Sequence, residues 1–156
     1  GNTHFWNEIA VNMSGWRGKK LGGIMHPGNY SLLGVGISFG VSAKAAHPDK
    51  NVVVISGDGA FLSGGLSVES AFQEGLPIVV IIDNNGGLDC ISQQQERLFS
   101  NGKHYATDFR DIPFHTMFEG LGGYGELVTS RDELKPALAR AINSGKTACL
   151  NVKCRA

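Results

Sequence analysis

Residues 51–87 read NVVVISGDGAFLSGGLSVESAFQEGLPIVVIIDNNGG. An apolar run from Val52 to Ile55 leads into the turn Gly57-Asp58-Gly59. A second run, Ile78 to Ile82, leads into Asp83-Asn84-Asn85-Gly86-Gly87. Both runs are short, rich in β-branched residues and apolar at every position. That pattern predicts strands buried on both faces in the middle of a parallel sheet. Between them, Leu66, Ala71 and Phe72 are apolar while Glu69, Gln73 and Glu74 are polar. This predicts one crossover helix stopped by Gly75, and hence a right-handed βαβ unit.

Such a unit brings two polar strand ends together, and ligands of open parallel sheets bind beyond those carboxyl ends. Asp58 follows the first strand and Asn85 the second. A carboxylate, an amide oxygen and a nearby backbone carbonyl are hard oxygen ligands. They suit Mg²⁺ or Ca²⁺, and Mg²⁺ commonly completes its shell with water and a ligand's phosphate oxygens. Glycines on either side let the backbone come close. The start of the crossover helix offers free N–H groups to an anion. The residues alone therefore point to a divalent metal holding a phosphorylated cofactor.

GDG followed at this distance by NN, each after a buried strand, resembles the signature of thiamine-diphosphate (ThDP) enzymes. The chain is similar to the pyrophosphate-binding domain of the acetolactate synthase, benzoylformate decarboxylase and oxalyl-CoA decarboxylase superfamily. The resemblance implies an α/β fold, a three-layer αβα arrangement around a mainly parallel sheet, spanning residues 1–156 as one domain. It implies ThDP and Mg²⁺ as cofactors. The metal ligands would be the side chains of Asp58 and Asn85 and the carbonyl of Gly87. Gly57 belongs to the same turn, and the N–H groups of Gly59 and Ala60 would meet the diphosphate. Asn2 and Thr3 match polar residues that touch the diphosphate, although Thr3 equally suits a helix cap. Gly28 matches a loop glycine near the aminopyrimidine. Leu33 matches the bulky residue that buttresses the bent cofactor, although a plain core leucine fits as well. Cys90 and Ile91 fall where pocket residues are expected, with helix packing the alternative. Asp89 stands where the family usually has glycine, so the substrate preferences of named members do not carry over to this chain.

Composition narrows the other possibilities. Lys plus Arg and Asp plus Glu both number 14, so there is no basic excess for nucleic acid. No apolar run approaches the ~20 residues of a membrane span. Glycine accounts for 22 of 156 residues, about twice the usual ~7%, which suits loops wrapped around a cofactor. Cys90, Cys149 and Cys154 form no CxxC and no metal spacing, and read as free thiols of a cytoplasmic protein. Gly34-Val35-Gly36 lacks the third glycine of a dinucleotide fingerprint, since Phe39 occupies that place.

The remaining elements follow in order. Phe5, Trp6, Ile9 and Met13 recur at helical spacing from about Thr3. His26-Pro27-Gly28-Asn29 is a loop by composition. Leu32 to Ala46, rich in Gly, Ala and Ser, predicts a tightly packed buried helix. Tyr105 to Phe109 resembles the family's approach to a helix, and Phe114, Met117, Phe118 and Leu121 form an apolar helical face. Ser130 and Glu133 form a capping box. Pro136 fits only near that helix's first turn. Gly145 ends the helix, and Ala148 to Val152 is a last strand. His4, His47, His104 and His115 show no metal spacing and read as structural or exposed.

Gly1 falls after the point where the family's first strand would end, so the chain is expected to be a piece of something longer. The resembled enzymes activate ThDP with a glutamate from a pyrimidine-binding domain. No segment here resembles that domain, so no catalytic residue is assigned to this chain. The expected function is half an active site for a 2-oxo acid decarboxylase or carboligase, acetolactate synthase-like. It would need a pyrimidine-binding domain or subunit and would form a homo-oligomer, a dimer or tetramer. An acyl-CoA lyase or oxalyl-CoA decarboxylase relation is the alternative, with a small 2-oxo acid or an acyl-CoA as substrate. A subunit of a two-subunit 2-oxo acid decarboxylase and a non-catalytic ThDP-binding module also remain open.

Overall fold

The computed structural model describes Met25, residues 32–99 and residues 102–154. Four strands form one sheet: β1 (Val53–Gly57), β2 (Val79–Asn84), β3 (Tyr124–Val128) and β4 (Ala148–Lys153). Their order is β1-β2-β4-β3 and every pairing is parallel. The expected α/β architecture is therefore present, with helices on both faces.

Side-chain alternation along the strands divides the core in two. Val54, Val80, Ile82 and Cys149 point into one cluster, with Ile37, Phe61, Val68, Phe114 and Phe118. Val79, Ala148, Leu150 and Val128 point into the other, against Ala137 and Ala141. The second cluster is covered by α6 (Arg131–Asn143). The first is covered by α1 (Gly36–Ala46), α2 (Asp58–Gly64) and α5 (Phe114–Gly120). β2 is thus apolar on both faces because it is covered on both. β1 is not the central strand expected. It forms an edge among the described residues, and Val53 is 40% exposed, because α6 packs on β2, β3 and β4 and does not reach it.

The crossover from β1 to β2 also differs from the single helix expected. It comprises α2, a 3-10 turn at Gly65–Val68 and α3 (Glu69–Gln73). The glycine pair in the middle explains the break. Glycine is a poor helix former, and both positions are held tightly. A Cβ at Gly64 would lie 2.7 Å from the Gly34 carbonyl oxygen, and one at Gly65 2.6 Å from the Phe61 ring. The chain gives up helical continuity there and gains close contact with the 33–35 turn and an aromatic ring. Phe61 in turn meets Phe114 edge to face at 5.4 Å.

α1 is shorter than Leu32–Ala46 and is buried on one face only, through Ile37, Gly40 and Lys44. Gly40 lies so close to Val54 that a side chain there would overlap it. Lys44 donates to the carbonyls of Pro48 (2.7 Å) and Lys50 (2.8 Å) and ties down the turn that follows. The apolar face of α5 is also narrower than expected: Phe114 and Phe118 are fully buried, whereas Leu121 is 48% exposed. In α6 the capping box is present, with Glu133 accepting from the Ser130 N–H at 3.2 Å. Pro136 lies in the second turn, deeper than expected. The carbonyl it leaves unmet belongs to Asp132, which is exposed and can bond to water. The helix expected from about Thr3 and the loop at His26 lie outside the described residues.

Candidate functional site

β1 and β2 are neighbours, with Gly57 opposite Asp83, so their carboxyl ends lie side by side. The turn after β1 is tight because α2 begins at once with Asp58. Asp58 is buried, 3% exposed. One oxygen accepts from Gly59 N–H (2.6 Å). The other accepts from Gly86 N–H (2.8 Å) and Gly87 N–H (3.0 Å). Burial pushes the Asp58 pKa above that of an ordinary aspartate; the three backbone donors oppose the shift, and the charge of Asp83 adds to it. Among the described residues no Lys, Arg or His forms an ion pair with Asp58. This is a buried carboxylate with hydrogen bonds but no counter-cation.

The two adjacent asparagines separate cleanly. Asn84, the last residue of β2, is buried. It donates to Asn151 Oδ1 (2.9 Å), while Asn151 donates to the Ile112 carbonyl (3.3 Å). This pair ties β2 to β4 and to the loop before α5. Asn85 lies one position further on, half-buried, and its Oδ1 accepts from the Gly87 N–H at 3.2 Å. Asp58 and Asn85 therefore share one donor, and their oxygens converge on it.

Gly87 is fixed from its other side. It forms an antiparallel bridge with Asp108, closed by Leu88 N–H to the Thr107 carbonyl (2.8 Å) and Phe109 N–H to the Gly86 carbonyl (2.7 Å). In such a pair the bridging residue's own N–H and C=O point away from its partner. The Gly87 carbonyl accordingly faces the side where its N–H meets Asp58 and Asn85. A Cβ at Gly87 would lie 2.5 Å from the Thr107 carbonyl oxygen, so only glycine permits the bridge. Gly86, with φ +84°, makes the bend before it.

The other expected positions divide. Gly59 and Ala60 are buried at the start of α2, and the Gly59 N–H is committed to Asp58. Gly57 has ordinary extended geometry (φ −69°, ψ 158°), and among the described residues nothing lies within 4 Å of a Cβ built there. Leu33 is 44% exposed in the turn whose next residue, Gly34, rests on α2, so it is not a plain core leucine. A cavity of about 280 Å³ opens beside Asn85, Gly86 and Gly87. It is lined further by Ser92, Glu96, His104 and Asp108. Cys90 and Ile91, near the start of α4 (Asp89–Leu98), are exposed and do not line this cavity. Asn2, Thr3 and Gly28 lie outside the described residues.

Asp108 and His104 complete the rim, with Thr107 packed against Gly87. The sequence assigns none of them to the site, and His104 reads there as structural or exposed. Thr107 is buried, and its hydroxyl has no hydrogen-bond partner among the described residues. A single bridge between residues 87 and 108 leaves no periodic pattern, so only the Tyr105–Phe109 resemblance could have signalled it. Among the described residues the site therefore offers three hard oxygens, a buried carboxylate with no ion-pair partner and open space over Gly57. This donor set fits a divalent cation with an attached phosphate.

The chain matches the family described as thiamine pyrophosphate enzyme, C-terminal TPP binding domain, over residues 9–152. It is 35% identical over 129 residues to a 2-hydroxyacyl-CoA lyase of Oryza sativa, covering 80% of this chain and 22% of that protein. It is 35% identical over 126 residues to an acetolactate synthase large subunit of Mycobacterium tuberculosis, covering 80% of this chain and 23% of that one. The structure of a thiamine diphosphate-dependent 4-hydroxybenzoylformate decarboxylase of Rhodococcus jostii superposes with a TM-score of 0.66 at 30% identity, covering 79% of this chain and 23% of that one. The chain thus spans less than a quarter of the length of these relatives. Among the described residues no helix is long and apolar enough to cross a membrane. With residues 9–152 matched and its parallel sheet shared, the chain belongs to the C-terminal TPP-binding domain family of thiamine pyrophosphate enzymes.

Proposed function

We propose that this domain binds ThDP through Mg²⁺ and forms half of the active site of a 2-oxo acid decarboxylase or carboligase of the acetolactate synthase type. The observation that carries the reading is the shared Gly87 N–H. It draws the oxygens of Asp58 and Asn85 together on the side that the Gly87 carbonyl faces. Asp58, Asn85 and Gly87 would hold the metal, and the Ala60 N–H and the turn at Gly57 would receive the diphosphate. Bound ThDP supplies carbanion chemistry at a substrate carbonyl and an electron sink. This chain's part is to anchor the diphosphate end and to keep the 85–87 loop rigid.

No catalytic residue is assigned here. The activating glutamate and much of the substrate pocket are expected from a pyrimidine-binding domain or subunit, so the chain alone should bind but not turn over. A homo-oligomer follows from the same reading. A 2-hydroxyacyl-CoA lyase is the second reading, because the rice lyase matches at the same 35% identity as the synthase.

Calorimetric titration of ThDP into the chain, with and without Mg²⁺ and beside Asp58→Ala, tests the site. Binding that requires Mg²⁺ and disappears in the variant is the expected result. If wild type fails to bind both alone and with a pyrimidine-binding domain supplied in trans, the reading is wrong. Pyruvate and a 2-hydroxyacyl-CoA, offered to that reconstituted pair, separate the two activities.

A further inference from the structure

The segment after the site folds back on itself in a closed circuit. α4 starts at Asp89, directly after the Gly87-Leu88 turn, and runs to Leu98. The chain then returns, and residues 104–109 lie along α4 and end on Gly87. Three contacts hold this return. Gln95 donates through Nε2 to the Tyr105 carbonyl (3.1 Å) and accepts from the Tyr105 N–H (2.7 Å). Phe99 meets Tyr105 edge to face at 5.6 Å. His104 spans the gap, with Nε2 at 2.8 Å from Glu96 on α4 and Nδ1 at 2.9 Å from Asp108, the residue bridged to Gly87. The hydrogen bonds to the two carboxylates raise the His104 pKa above the usual histidine value, Glu96 being the larger influence. In the protonated imidazole both ring nitrogens donate, one to each carboxylate. Between Tyr105 and the bridge, Ala106 adopts φ +59°, an unfavourable conformation for alanine that persists only where its surroundings impose it.

We propose that His104 is a positioning residue for the cofactor site: by joining Glu96 to Asp108 it holds the 107–109 strip against Gly87 and so fixes the carbonyl and the Asn85 side chain in ligating geometry. The proposal rests on the function proposed above for its metal-binding consequence. Its mechanical part stands on the contacts alone. His104 is not among the proposed metal ligands, and it acts through the backbone of residues 107–109. Partners that orient metal ligands commonly change affinity by about 10- to 100-fold. An indirect brace should fall near the lower end.

The test compares wild type, His104→Ala and His104→Arg, the last keeping donors for both carboxylates on a planar fork. Two quantities are read. Amide exchange at Leu88 and Phe109, whose N–H groups close the bridge, reports the brace. The Mg²⁺ dissociation constant at saturating ThDP reports its consequence. In His104→Ala, exchange at Leu88 and Phe109 should accelerate about tenfold or more, while β2 and β4 amides keep their protection. Mg²⁺ affinity should fall about tenfold, and His104→Arg should recover most of both. Unchanged exchange at Leu88 and Phe109 overturns the brace whether or not metal binds. Faster exchange with unchanged Mg²⁺ affinity reduces His104 to local packing and overturns the positioning role. If wild type binds no ThDP with Mg²⁺, either alone or with a pyrimidine-binding domain supplied in trans, the function proposed above falls, and the exchange data still decide the brace.

Discussion

Gly57→Ala separates what the fold needs from what the ligand needs. Gly57 ends β1 with φ −69° and ψ 158°, a conformation open to any residue, and among the described residues nothing lies within 4 Å of a Cβ placed there. Neither backbone nor packing among the described residues therefore demands glycine. Removing glycine's freedom from the unfolded chain should stabilise the ligand-free protein by about 0.4–1 kcal/mol. For a domain of this size that raises Tm by about 1–4 °C. If the open space receives the diphosphate, the new methyl intrudes on it. Overpacking of that kind costs about 1–3 kcal/mol, or about 5- to 150-fold in affinity. Thermal unfolding without ligand and calorimetric titration of ThDP with Mg²⁺ give the two numbers. Stability should rise while binding weakens. An affinity within twofold of wild type would refute the view that this space is kept for the ligand. A Tm lowered by several degrees would refute the claim that the fold leaves it free.

Other substitutions should separate neighbouring roles. Asn84→Ala leaves Asn151 Oδ1 buried without its donor and should destabilise by about 1–3 kcal/mol with Mg²⁺-dependent binding retained. Asn85→Ala should do the reverse, and denaturant unfolding with calorimetry on both variants checks the contrast. Gly87→Ala must push aside a backbone oxygen 2.5 Å away, at a cost of about 1–3 kcal/mol, and should lose binding as well. Glu133 is held below the ordinary glutamate range by the backbone donors of Thr129 and Ser130. Its contribution is complete above that ordinary value and is lost as pH falls through the depressed one, so Glu133→Gln should flatten the acid limb of a stability–pH curve. A thiol reagent at pH 8 should modify exposed Cys90 first. Cys154, whose thiol burial and Asp83 push up to about 12, should follow slowly, and buried Cys149 should react only on unfolding. Rapid loss of all three thiols in the native protein would contradict this order.

What the sequence made legible follows from the range of each interaction. β2 and β4 could be read because burial on both faces leaves unbroken apolar runs, and the Ser130–Glu133 box because its partners are three residues apart. Asp58 and Asn85 could be read because each immediately follows such a run. β1 looked like β2 in composition, yet it lies at the sheet edge among the described residues. An apolar strand does not record whether a helix reaches its outer face. The crossover looked continuous because the apolar spacing survives on either side of Gly64-Gly65, while the reason for the break lies thirty residues away at Gly34.

The least legible part was the return segment, and the reason bears on how the site works. Thr107 and Asp108 meet Gly87 through backbone atoms, which leave no trace in side-chain identity beyond the requirement for glycine itself. Gly87 thus satisfies two constraints with one residue. On one edge its N–H brings Asp58 and Asn85 together, and on its Cα face the absent side chain lets Thr107 close in. Aspartate and asparagine supply oxygens, but a loop of two glycines does not hold its own shape, since glycine loses more conformational entropy on ordering than any other residue. The order must come from outside the loop. Asp58 provides it from one side and the 107–109 strip from the other. On the proposed function, the recognisable residues would define which ion the site takes, and the unrecognisable backbone bridge would define whether the site is formed before the ion arrives.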